Sequence, residues 1–131
     1  MINSTKKKTV WTDLCNCFYV VSHPYSDIAY LESPVFEVFD DLDTSIIMGL
    51  REESLSFFVT EGWIDEAMKE ELSRFRDHLE RIENRYWNPE DFDRWEDWVS
   101  ARNWAKALVS KLGLKNDGWD STGTKFYYTE G

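Results

Sequence analysis

The stretch Ile64-Asp-Glu-Ala-Met68-Lys-Glu-Glu-Leu72-Ser-Arg-Phe75-Arg-Asp-His-Leu79-Glu-Arg-Ile82 decides the fold class. Its apolar residues are spaced by four, four, three, four and three, which is one stripe of an amphipathic α-helix. Glu70 with Arg74, and Asp77 with Arg81, are acid-first i,i+4 pairs suited to the exposed face. Thr60 or Gly62 is placed just ahead of the helix, and Asp65 and Glu66 suit its positive end.

Downstream, Asn88-Pro-Glu-Asp91 announces a second helix, because Asn caps well and Pro suits the first turn. Phe92, Trp95, Val99, Ala105, Leu108 and Leu112 recur at helical spacing as far as Gly113, a natural stop. Two helices with a short break between them predict an antiparallel C-terminal pair. Asn116-Asp-Gly118 reads as a turn, and Lys125–Thr129 as a short edge strand or ordered tail.

Upstream the reading is open. Trp11, Leu14, Phe18 and Val21 fit a helix ending before His23-Pro24, while Phe18–Val21 alone also fits a strand. Ser26–Leu31 reads as a short helix capped by Ser26, and Ser33-Pro34 opens a segment through Phe39. Asp43-Thr-Ser-Ile46 reads as the start of a further helix, with Leu55–Val59 as helix or strand. The fold class expected is mainly α, a compact helical domain with a C-terminal helical pair and a short C-terminal strand; α+β is the alternative. Residues 1–8 read as a flexible basic tail, and residues 9–131 as a single globular domain.

Apolar residues make up 42% of the 131 positions and aromatics 16%, enough to offset the entropy of folding. No apolar run approaches the length that spans a bilayer. Lys6–Lys8 resembles the start of an export signal. The segment after it is interrupted by Asp13 and Asn16 and lacks a cleavage site, so a cytoplasmic location is expected. Cys15 and Cys17 are too close in sequence for a good disulfide and read as reduced thiols.

The net charge of −10 disfavours nucleic acid and anionic membranes as partners. It is also unevenly placed. Between His23 and Glu66 stand eleven acids against Arg51 alone, and the rest of the chain holds fourteen charges of each sign. A merely solubilising surface does not predict that concentration; a basic protein partner does.

Familiar chemistries lack their parts. Cys15-Asn-Cys17 has neither the spacing nor the fellow ligands of a closed zinc site, so buried cysteines on a helix face are expected. Phe75, three before His78, removes a Glu-x-x-His di-iron motif. There is no Gly-x-Ser-x-Gly elbow and no phosphate-binding Gly-rich loop. His78 reads as solvated. Asp40, Asp41 and Asp43 lack the Gly and terminal Glu of a calcium loop, and Asp91 and Asp93, a possible acid–base or Mg²⁺ pair, come with no basic or Gly-rich element recognisable as a phosphate holder. No catalytic residue, metal or cofactor is expected.

Tryptophan is abundant: seven residues, with Trp95, Trp98 and Trp104 crowding one helix. Packing against Ile64–Ile82 is the plain reading. Trp104 lies opposite Trp95 on the wheel, so some rings should cover a second layer or stay partly exposed, where they suit Arg-rich partners.

A small, acidic, Trp-rich, cofactor-free domain resembles, in overall character across the whole chain, the bacterial immunity proteins that neutralise nuclease toxins in contact-dependent inhibition. The resemblance implies a cognate toxin domain whose active site or substrate groove is blocked. Asp40, Asp41, Asp43, Glu52 and Glu53 are the expected charged contacts, with Glu61, Asp65 and Glu66 next. The other readings are a DNA-mimic protein and a structural adaptor in a larger assembly.

Overall fold

The computed structural model describes residues 4–120, with side chains from Val10 onward. Among these residues seven α-helices follow one another: α1 (Ser4–Val21), α2 (Tyr25–Ile28), α3 (Val38–Leu50), α4 (Glu52–Thr60), α5 (Glu66–Glu80), α6 (Pro89–Arg94) and α7 (Glu96–Leu112). Short 3-10 turns lie at Ala29–Leu31 and Asn84–Tyr86. Among the described residues there is no strand. The fold is mainly α, as the periodicity of the second half demanded. The expected strand at Lys125–Thr129 lies outside the described residues. Ser4–Lys8 belong to α1, so the stretch read as a loose tail is helical from Ser4 onward.

The helix at the centre is α1. From Val10 to Ser22 every residue except Asp13 is buried, on all sides of the helix. A helix apolar all round must be enclosed, and α1 is. It packs most extensively on α3 and also meets α7. Trp11 sets its edge against Phe58 of α4 and against Trp63, with ring centroids 5.0 and 5.3 Å apart. Phe18 meets Phe75 of α5 at 5.7 Å. At the α1–α3 crossing the backbones nearly touch: a Cβ on Gly49 would stand 2.5 Å from the Leu14 nitrogen.

The pair formed by α5 and α7 is antiparallel. His78 Nε2 meets the Asp97 carbonyl at 2.8 Å, while Glu71, two turns earlier, takes hydrogen bonds from Trp104 and Lys111 on the later turns of α7. His78 is therefore engaged and half-buried, with its ring against Trp104, contrary to the solvated reading. The α5 stripe is as expected: Leu72, Phe75 and Leu79 are fully buried, flanked by buried Ile64 and Ile82. Its N-cap is Asp65, whose Oδ1 accepts the Met68 N–H at 2.7 Å. Thr60 and Gly62 both lie upstream of that cap.

The segment from Asn88 to Gly113 is two helices. Trp95 adopts an extended conformation (ψ 131°), ending α6 and serving as N-cap of α7. Its ring stacks flat on Tyr86, 4.0 Å away. The break resets the register, so α7 buries Trp98, Ala101, Ala105 and Leu108, while Val99 faces outward. Arg102 bridges the break, donating to the Phe92 carbonyl at 2.9 Å and lying over the Phe92 ring. Asn88 caps α6 through the Asp91 N–H at 2.9 Å, and Gly113 closes α7 with φ 67°.

The first half differs from its reading in three places. α2 begins at Tyr25 after Pro24, with no side-chain cap from Ser26. Ser33–Phe36 closes into a tight turn through hydrogen bonds of 3.0 and 3.2 Å in both directions. Asp43–Ile46 starts no helix, because α3 runs straight through it. Thr44 bonds back to the Asp40 carbonyl at 3.2 Å, the behaviour of a threonine inside a helix. Leu55–Val59 is helical.

Candidate functional site

Acids at Glu37, Asp40 and Asp43 are three residues apart, so they project from neighbouring positions along one side of α3. Opposite them lies the turn carrying Asn84 and Trp87. Together with Phe39 these residues line a cleft of about 330 Å³. Asp40 and Asp43 are exposed, and no cation pairs with them or with Glu37 among the described residues.

The aromatic part of the cleft is fixed in place. Phe39 is buried against Phe92 (5.5 Å), Tyr25 (6.0 Å) and Trp87 (6.5 Å). Trp87 donates its indole N–H to the Ile82 carbonyl at 3.0 Å and packs its other side on Trp98. One half-buried indole thus stands beside uncompensated carboxylates. Such a site can take a cation, above all a planar guanidinium that stacks on a ring while its N–H groups reach carboxylate oxygens.

The eight acids expected at a binding surface are not gathered in one place. Asp40 and Asp43 line the cleft just described. Glu52 and Glu66 line a second hollow of about 480 Å³, shared with Glu70, Ser73, Lys69 and Arg74, so its charge is largely balanced. Lys69 Nζ lies 3.1 Å from Glu52 Oε2, and its hydrogen bond holds the Glu52 carboxyl below the usual range. Asp65 borders a third, smaller hollow with Trp63, Met68 and Leu112.

Two more of the eight have structural duties. Asp65 caps α5, and Asp41 accepts the Glu37 N–H at 3.0 Å, closing the start of α3. Glu53 is exposed in the first turn of α4, and Glu61 is exposed just beyond its end.

Four cleft residues escaped the sequence reading: Glu37, Phe39, Asn84 and Trp87. The three-residue spacing of Glu37, Asp40 and Asp43 was a usable local signal. No local signal links Trp87 to α3, because tertiary packing alone brings them together.

Among the described residues no group of three or more His, Cys, Asp or Glu side chains converges as metal ligands would. Cys15 and Cys17 are free and buried. No described helix is long and apolar enough to cross a membrane. All seven tryptophans are buried or half-buried, which answers the composition mainly with core packing. Trp104 is half-buried, packs on Phe75 and donates its indole N–H to Glu71 at 3.0 Å. Comparison with protein-family models, with curated proteins and with solved structures finds no match.

Proposed function

We propose that this chain is a binding protein that neutralises a basic protein partner, most simply a cytoplasmic immunity protein that blocks a nuclease toxin. It acts by occupancy, with no chemistry of its own. A nuclease must present Lys, Arg and His to hold phosphate, so its working groove is positive. The observation that carries the reading is the cleft where Glu37, Asp40 and Asp43 stand, with no counter-charge among the described residues, beside the half-buried Trp87. The carboxylates would take the place of substrate phosphates, and the indole would anchor a guanidinium. The hollow at Glu52 and Glu66 fits less well, since Lys69 and Arg74 already answer its acids.

The test is capture of the partner on immobilised protein from its own source, followed by a nuclease assay on the captured species. The expected partner is basic, loses its nuclease activity when bound, and elutes as salt is raised. D40K/D43K should weaken binding about a hundredfold or more, and E53K about tenfold or less, as rim charges do. A partner held undiminished at high salt and indifferent to D40K/D43K would overturn the proposal in favour of an adaptor.

A further inference from the structure

The segment between α2 and α3, residues 29–37, keeps two large apolar side chains in water. Val35 is 95% exposed and Tyr30 66%. Among the described residues only Ile47 and Val99 are also large, apolar and exposed, and they sit on two different helices, α3 and α7. Single apolar residues scattered over a surface are ordinary. Two on one short segment call for a reason.

Nor is the segment loose. Pro34 takes the second place of the turn Ser33–Phe36, where its fixed φ suits the chain, and Ser33 and Phe36 exchange backbone hydrogen bonds of 3.0 and 3.2 Å. Ser33 Oγ also accepts the Val35 N–H at 3.3 Å. Phe36 is half-buried, edge to face with Trp119 at 5.0 Å, which leaves Val35 at the outer tip. The Tyr30 hydroxyl meets that of buried Tyr19 at 2.8 Å. Glu32 ties the segment to both flanking helices, accepting the Tyr25 hydroxyl at 2.7 Å and the Val38 N–H at 3.1 Å. A free loop could turn Val35 inward; this one holds it out. Apolar groups fixed in advance lose little freedom when a partner covers them, which is the advantage of a preorganised contact.

The acids nearest in sequence, Asp27, Glu32 and Glu37, have no ion-pair partner among the described residues. Glu37 both ends the segment and lines the α3 cleft. Val35 is two residues from Glu37 and Tyr30 is seven, so even a fully stretched chain places them no more than about 7 and 25 Å from it. Both fall within one interface of ordinary size, about 800 Å² per partner.

We infer that this segment is the apolar arm of the partner surface: Val35 and Tyr30 are covered by an apolar part of the same basic protein whose cationic groove meets the α3 acids. The inference rests on the reading of the chain as a binder of a basic protein. A second copy of this chain fits worse, since pairing the segment with itself would bring two sets of those acids together.

The test places the photoreactive residue p-benzoylphenylalanine at position 35 of the full chain, in its own source, with position 99 as the control. Irradiation should join position 35 to one basic protein and position 99 to none. No adduct at 35, or an adduct with a second copy of this chain, would overturn the inference.

Binding kinetics on the joined protein then separate the arm from the cleft. V35S removes apolar surface and no charge, so it should quicken dissociation about tenfold and leave the association rate and its salt dependence unchanged. Y30A should act likewise, whereas D40K/D43K should slow association and flatten the salt dependence. A V35S/Y30A chain that binds like wild type would sink this inference and spare the cleft. Loss of binding in V35S with indifference to D40K/D43K would discard the cleft and keep the apolar arm.

Discussion

At the scale of single residues, Asp13 is out of keeping with its place. It is the one position between Val10 and Ser22 that is not buried outright, and burial still raises its carboxyl from 3.8 to about 6. The folded chain therefore holds this proton more tightly than the unfolded chain does. Its burden on stability is absent below about pH 4, grows between pH 4 and 6, and is complete above that. Because solvent reaches part of the group, the full burden is about 1–2 kcal/mol. Asp13→Asn should stabilise the protein by that amount at pH 7.5 and by almost nothing at pH 4, read by urea denaturation at both values. Equal gains at the two values would mean that charge is not the cause. The neighbouring Gly49 has the opposite tolerance. A methyl there strikes the Leu14 nitrogen and Cα at 2.5 and 2.8 Å, and these backbone atoms cannot turn aside. Gly49→Ala should cost roughly 3 kcal/mol, the upper end for overpacking, measurable as a fall in Tm. A neutral result would mean that α1 and α3 can separate freely.

At the scale of elements, the helix starts divide the acids by what they do. Asp65 is spent on the Met68 N–H, so Asp65→Ala should lower stability by about 1 kcal/mol and leave partner affinity unchanged. Asp43 makes no such bond, and Asp43→Asn should show the reverse pattern. An Asp65→Ala chain of unchanged stability that lost its partner would return Asp65 to the binding surface. These starts also show what local sequence carries. The α5 stripe was legible because one face of that helix meets the core and the other meets water. The Asn88 cap was legible because capping needs only residues three apart. The break at Trp95 was not, since no Gly or Pro marks it and the Tyr86 ring that stacks on Trp95 comes from outside both helices. Once the register slipped there, Val99 moved from the expected stripe to the surface, and Ala101 took an inner place.

For the molecule as a whole, the same distinction between local and distant partners explains why α1 was hard to read. A helix enclosed on all sides has no polar face to set a period, and the buried polar residues Thr12 and Asn16 within it and Ser22 just past its end look like interruptions. For two of them the partners arrive from far along the chain, Asp120 to Asn16 and Asn116 to Ser22. The site was half legible for that reason: the acids of α3 lie close in sequence, but Trp87 reaches them only by folding.

The charge distribution then separates two kinds of acid. Glu71, held by Trp104 and Lys111 at 3.0 Å, has its carboxyl lowered by those bonds, first Trp104 and then Lys111, and so stabilises the fold. Asp40 and Asp43 have no ion-pair partner among the described residues and lie beside Glu37, so they repel. D40N/D43N should therefore raise stability by a few tenths to about 1 kcal/mol at 10 mM salt, and the gain should vanish near 0.5 M, where the Debye length falls to a few ångströms. Denaturation at the two salt concentrations measures it. A loss of stability would mean that these carboxylates serve the fold. A salt-dependent gain would mean that the chain carries them at a cost, as expected where an acidic surface is kept for a partner.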